Sequence, residues 1–395
     1  MNSIFKEVAA KFGGVSGLSI SSAALNLVTT VLVVRWCGAS VYADFMVDLA
    51  IVSLLLLLLE VVPSNFSVFR LQDDRQWRTV VEGHLFLVAV LLVVSVFSLA
   101  KFGVIFSDFS PWIALYAASQ ASKRYFDLML QAMGRLHEFM ALEVAISFVR
   151  LSYLSLGALA GYRNIDLVWG SLAAAVVSSQ IIYAIKRGRT LQIDAPTSAR
   201  MEAWEVARKF LPYYPGIALK RVKDNLLPLI GSWVLGSKET LGLLMLAYRG
   251  VVFASGQIRI FEALLYHRET LGKIEAMPAK TRFAVAGVAQ VAAICASVVL
   301  LVLSDEPAKP YAAAIMLSFL VWPISFYSIE RANALASFNP GRVNSALLAY
   351  LVFAVAAAWG VWRAGMENVY ALIAVFLAAE VLQYLVMKRM RPEVA

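Results

Sequence analysis

The chain has 395 residues, of which 61% are hydrophobic and 15% charged; its formal net charge is +9 and its mean hydropathy +0.73. Soluble globular chains carry about 25% charged residues, so the composition excludes a water-soluble domain and points to an all-α polytopic membrane protein. Two cysteines, Cys37 and Cys295, and three histidines, His84, His137 and His267, lie too far apart in sequence for a disulfide framework or a metal cluster, so neither a metal site nor a cofactor is expected.

The first span follows a short amphipathic start, Ser3 to Phe12, without a small-residue cleavage site, and reads as a retained anchor rather than a signal peptide. Apolar stretches of about 20 residues, the length that spans a bilayer as a helix, then recur twelve times. They fall near 15–36, 41–63, 81–100, 112–133, 139–161 and 166–186, then 211–235, 239–262, 282–303, 310–333, 343–363 and 367–387. The runs are continuously apolar rather than alternating, which favours helices over a barrel. Span 7 contains Pro212, Pro215, Gly216 and Pro228, and span 10 contains Pro323, so both are expected to bend.

The longest polar stretch, Lys186 to Lys209, divides the chain into an N-terminal six-helix lobe (1–190), a linker (191–210) and a C-terminal six-helix lobe (211–395). Six is even, so both halves enter the membrane in the same sense, as a parallel repeat. A weak echo supports the repeat: Arg35-Trp36-Cys37-Gly38 through Phe45 after span 1 resembles Trp233-Val234-Leu235-Gly236 through Leu243 after span 7. With the N-terminus inside, twenty Lys and Arg residues fall in inside segments against six outside, so the positive-inside rule predicts both termini in the cytoplasm.

The remaining cations lie within the spans. By segment position Lys123, Arg124, Arg150, Lys220, Arg221, Lys223 and Arg249 fall near mid-membrane, where only Asp127 and Asp224 supply acids, so a net-positive midplane is expected. A Lys or Arg at the bilayer centre costs roughly 2.5–3.5 kcal/mol on insertion scales, which directs it to a hydrated cavity or a partner rather than lipid. These seven are the candidate substrate-binding residues, lining a central cationic cavity that would hold an anion; nucleic acid is not implied. Lys123 with Asp127 and Lys220 with Asp224 are i, i+4 pairs, and the alternative for each is an internal salt bridge. Asp127, Asp224 and Glu143 are candidates for H+ or Na+ coupling, with plain charge pairing as the alternative. Arg259 and Arg331, beside Glu262 and Glu330, are expected to snorkel at the cytoplasmic ends.

The small-residue first helix, the Arg35 to Phe45 turn, the leucine-rich helix ending at Pro63 to Arg70, Leu130-Gln131-Ala132-Met133-Gly134-Arg135, and Asp224 followed by Gly236 resemble the polysaccharide (O-antigen type) flippases of the multidrug/oligosaccharidyl-lipid/polysaccharide exporter superfamily. Ala43 departs from the glycine common in the family, and twelve spans rather than fourteen argue against the lipid II branch. The resemblance implies alternating-access movement of an undecaprenyl-pyrophosphate-linked oligosaccharide from the cytoplasmic to the periplasmic leaflet of the bacterial inner membrane. It further implies membrane lipids and a polysaccharide polymerase as partners, for O-antigen, capsule or exopolysaccharide synthesis. An ion-coupled drug antiporter of the same superfamily is the nearer rival. A membrane polymerase or ligase is the farther one: the outside loops are short and carry no nucleophile and base constellation, so no enzyme is expected.

Overall fold

In the computed structural model, which describes residues 2–57, 75–103, 111–132, 136–190, 214–269, 279–306, 310–336 and 340–390, the described chain is almost entirely helical. The N-terminal half forms α1 (Asn2–Cys37), α2 (Ala39–Leu55), α3 (Arg75–Lys101), α4 (Pro111–Ala132), α5 (Leu136–Leu159) and α6 (Ile165–Thr190). The C-terminal half forms α7 (Tyr214–Val234), α8 (Lys238–Glu269), α9 (Ala279–Leu303), α10 (Tyr311–Ser318), α11 (Val321–Ala336), α12 (Pro340–Arg363) and α13 (Val369–Arg389). With α10 and α11 as the two parts of one span, the described helices match the twelve predicted apolar stretches. Among the described residues, seven spans are long and apolar enough by themselves to cross a bilayer, including Gly17–Cys37, Phe283–Leu303 and Val369–Arg389. The chain is a multi-pass membrane protein. Glu60, Pro63 to Arg70, Gly134, Arg135, 191–209 and Pro212 lie outside the described residues, as do the side chains of His84, Arg259, Glu262 and His267.

Helix ends follow local chemistry. After α5 the chain reverses at Gly161 (φ +91°), whose N–H donates to the Ala158 carbonyl at 3.1 Å while Tyr162 N–H donates to the Gly157 carbonyl at 3.0 Å. This capping pattern satisfies carbonyls that the helix leaves over, and its left-handed backbone would strain any residue that has a side chain. The expected bend in span 10 is a break. Pro323 cannot donate an N–H, and its ring crowds the carbonyl four residues earlier, that of Phe319. The chain closes tighter bonds there instead, Leu320 N–H to Leu317 O at 3.0 Å and Trp322 N–H to Phe319 O at 3.2 Å, which separate α10 from α11. In span 7 the corresponding proline, Pro228, sits within a single continuous α7.

Two compact units emerge, one of residues 1–37 and 51–214, the other of 38–50 and 215–395. In the first, α1 packs on α5, α3 on α4, and both α4 and α5 on α6. Leu92, Ile113, Leu154 and Trp169 are fully buried among these helices, and Tyr116 lies tilted against Trp169 at 5.6 Å between centroids. In the second, α8 packs on α9, α10 and α11, and α13 on α11 and α12. Lipid tails are as apolar as leucine, so close backbone approach and polar bonds drive this packing more than burial does. Gly250 illustrates it: a side chain there would strike Ser297, whose hydroxyl donates to the Ala247 carbonyl at 2.7 Å.

Residues 38–50 depart from the lobe boundary drawn at the polar stretch. That boundary puts them in the first lobe, whereas they group with the second unit. Gly242 on α8 explains it, since a Cβ there would collide with the Ala39 carbonyl; without one, the two backbones meet. Tyr42 Oη then accepts from Arg249 Nε at 3.2 Å, and Asp44 pairs with Lys238 at 2.8 Å.

Candidate functional site

In the first unit the charged residues predicted from sequence converge on one lysine. Lys123 on α4 donates to Asp127 Oδ2 at 2.7 Å, one turn along its own helix, and to Glu143 Oε1 on α5 at 2.6 Å. Lys123 and Asp127 are nearly buried, whereas the Glu143 side chain is 29% exposed. One ammonium therefore holds two carboxylates, and the Arg124 guanidinium is near enough to act on Asp127 as well.

Arg150 lies two turns along α5 from Glu143 and engages α1 instead: its Nη1 donates to Asn26 Oδ1 at 3.3 Å. Asn26 Nδ2 in turn donates to Ser147 Oγ at 3.0 Å, and Ser147 and Ser22 hydroxyls lie 2.9 Å apart. The result is a polar seam between α1 and α5 that ends in a guanidinium. Arg124, the next residue after Lys123 on α4, is half-buried.

In the second unit α7 carries Lys220, Arg221, Lys223 and Asp224. Lys220 pairs with Asp224 within the helix, the internal salt bridge that their spacing offers, and both are partly exposed. Arg221 is half-buried, and its carbonyl accepts from Asn225 Nδ2 at 2.8 Å. Lys223 instead reaches α13, donating to Glu380 Oε2 at 2.7 Å and to Gln383 Oε1. Its ammonium sits 4.5 Å from the Tyr350 ring centroid and 5.2 Å from that of Tyr327. Arg249, expected on the cavity wall, bonds Tyr42 and Met46 of α2, where it serves helix packing.

Two further expectations change. Glu143 and Glu380 fall away from the midplane by segment position, yet both bond mid-span lysines, because long side chains bridge about a helical turn. The excess of positive charge is correspondingly smaller than sequence depth implies. Arg342, counted with the loop cations, is only 3% exposed and bonds Glu330 Oε2 at 3.0 Å and the Met387 carbonyl at 2.7 Å. Glu330 is thus a buried ion-pair partner of Arg342. Sequence reasoning did not single out Asn26, Ser147, Gln383 or Tyr350 as site residues. Asn26 and Ser147 meet only once α1 packs on α5, and a lone Gln or Tyr in a span carries no local signal. Among the described residues no group of His, Cys, Asp and Glu could hold a metal ion.

In sequence, no family model and no curated protein matches the chain. Solved structures do match along nearly the whole length. An inward-facing multidrug resistance MATE family transporter of the MOP superfamily superposes with a TM-score of 0.66 at 14% identity, covering 93% of this chain and 94% of that one. The MATE multidrug transporter DinF-BH gives 0.64 at 13% identity, covering 98% and 95%. A MOP superfamily transporter from Pyrococcus furiosus, described as having a binding pocket of reverse polarity that suggests a different function, gives 0.59 at 11% identity, covering 95% and 93%. At such identities the likeness is one of architecture, and this chain has the helical fold of the MATE-type transporters of the MOP superfamily.

Proposed function

We propose that the chain is an ion-coupled, alternating-access transporter of the bacterial cytoplasmic membrane, in the manner of the drug antiporters of the superfamily. The observation that carries this reading is Lys123 shared between Asp127 and Glu143 inside a membrane span. Carboxylates inside a membrane span are costly unless cations or protons neutralise them. A proton or Na+ entering at the exposed Glu143 edge does so, and its binding biases whichever conformation opens that edge. Purified protein in liposomes should move its cargo in response to an imposed H+ or Na+ gradient, and Asp127→Asn with Glu143→Gln should remove the response. Transport by that double variant that still follows the gradient would overturn the coupling role.

The cargo has a second reading. Arg124 follows Lys123 on α4, Arg221 follows Lys220 on α7 and Arg150 lies on α5, and arginine can fork two phosphate oxygens. This favours an anionic headgroup, and with the sequence resemblance it supports flipping of an undecaprenyl-pyrophosphate-linked oligosaccharide for a polysaccharide polymerase on the far side. In a deletion strain complemented at matched membrane abundance, Arg221→Glu should then abolish surface polysaccharide while Arg221→Lys retains part of it. Unchanged polysaccharide together with lost resistance to cationic dyes would assign a drug cargo instead. Reporter fusions near Pro196 and at each terminus test the cytoplasmic placement of both ends.

A further inference from the structure

Helix α12 presents one exposed apolar stripe. Leu348, Val352, Val355, Trp359 and Trp362 follow one another by four and three residues, which at 3.6 residues per turn keeps them within about 80° of the helix circumference. All five are exposed, between 38% and 62%. The opposite face, with Ala346, Tyr350, Ala354 and Ala358, is buried in the second unit. Residues 348 to 362 cover about 21 Å of helix axis, more than half of a hydrocarbon core roughly 30 Å thick. The stripe is therefore as long as an acyl chain in one leaflet.

At its end the stripe meets a cation. Arg363, the last residue of α12, is exposed, and its guanidinium carbon lies 5.4 Å from the Trp359 ring centroid and 5.6 Å from that of Trp362. Trp233 of α7 lies against Trp362 at 5.2 Å between centroids, with 35° between the planes, which braces the indole on which the guanidinium rests. Lys220, Lys223, Lys238 and Arg342 of the second unit each have a carboxylate partner. Among the described residues Arg363 has only the two indoles. Nor do the helix-end carbonyls engage it: those of Gly360, Trp362 and Val361 accept from the N–H groups of Ala364, Gly365 and Met366 at 3.0, 3.0 and 3.1 Å. The guanidinium donors are left for an acceptor from outside the chain, and their planar fork matches two phosphate oxygens.

We propose that this stripe and Arg363 form a binding site for an anionic phospholipid, one acyl chain lying along Leu348 to Trp362 and the phosphate forked by Arg363. Trp359 and Trp362 mark the boundary, where an indole takes apolar contact on one side and headgroups on the other. A span that ends in Arg363 puts the guanidinium at headgroup depth, and on the topology proposed above that is the outer leaflet. A headgroup of net negative charge is favoured over a zwitterionic one, whose own ammonium cancels part of the attraction. The site depends neither on the cargo nor on ion coupling, so it stands or falls apart from the transport reading.

The test is native mass spectrometry of the full chain in detergent, titrated with dioleoylphosphatidylglycerol or dioleoylphosphatidylcholine. At equal lipid concentration wild type should retain one phosphatidylglycerol more than Arg363→Gln, and both should retain phosphatidylcholine alike. Affinity for that one lipid should fall about tenfold, as expected for a lost charge-assisted contact. Arg363→Lys should lie between them, because charge survives while the fork is lost. Trp359→Ser with Trp362→Ser, which keeps the cation and breaks the stripe, should also lose the lipid. Glycerol 3-phosphate at the lipid's concentration should displace none of it, since it brings no acyl chain. Equal retention of phosphatidylglycerol by wild type and Arg363→Gln overturns the site. Displacement by glycerol 3-phosphate overturns it in favour of free phosphate. A dimer that the double tryptophan variant dissolves with no loss of lipid overturns it in favour of a second copy of this chain.

Discussion

The lysines of α4 and α7 meet the same difficulty, an ammonium at membrane depth, and meet it in opposite ways. Lys123 is held by two carboxylates, one of them 29% exposed. Lys223 is held by one buried carboxylate, one amide oxygen and two tyrosine faces. The difference separates two jobs that charge count alone would merge. A carboxylate with an opening can take up and release an ion, whereas an enclosed pair holds helices together.

The largest expected effect on stability comes from breaking the enclosed pair. Glu380→Ala leaves a buried ammonium with no counter-charge, and removing one partner of a buried pair costs about 3–5 kcal/mol. Denaturation in detergent should show a loss of that order, whereas a change below about 1 kcal/mol would mean Lys223 escapes to water and the contrast between units is false.

Next comes Gly242→Ala on α8, whose added methyl meets the Ala39 carbonyl. Forcing extra volume into a packed contact costs typically about 1–3 kcal/mol. The loss should fall on the second unit, detected as faster proteolysis or hydrogen exchange in residues 38–50. Exchange confined to the first unit would show that these residues belong there after all.

The open network should be gentler on stability and harsher on function. Glu143→Gln leaves Asp127 on Lys123, so unfolding should shift by only about 1 kcal/mol, in the range of one hydrogen bond. On the proposed coupling role, gradient-driven transport should nevertheless drop steeply, because the more exposed carboxylate is gone. Equal stability losses for Glu143→Gln and Glu380→Ala would erase the distinction.

The smallest effect is expected from Lys238→Ala. Its pair with Asp44 is 57% and 26% exposed, and pairs of that kind contribute about 0–1 kcal/mol. A loss above that would indicate a role for the pair beyond surface attraction.

Much of the architecture was legible beforehand. The helical class, the span positions and the proline effect in span 10 all follow from local composition, because a bilayer forces each segment to satisfy its own backbone. The pairs within one helix were legible too, since Lys123 with Asp127 and Lys220 with Asp224 stand four residues apart in apolar runs. The partners on other helices were not. Glu143 lies twenty residues from Lys123, and Glu380 lies 157 residues from Lys223, so neither pairing has a spacing that sequence can display.

Sequence alone determined that this is a twelve-span helical membrane protein with charge stored in α4 and α7, because the cost of polar groups in hydrocarbon acts residue by residue. Only the tertiary structure decided which helix each charge reaches, which helix Arg249 braces, and why residues 38–50 leave the first unit. Those outcomes depend on distances of a few ångströms between helices far apart in the chain. The Coulomb energy of a pair and the space for a side chain are fixed by those distances, whereas the order of residues fixes only which groups are available to meet.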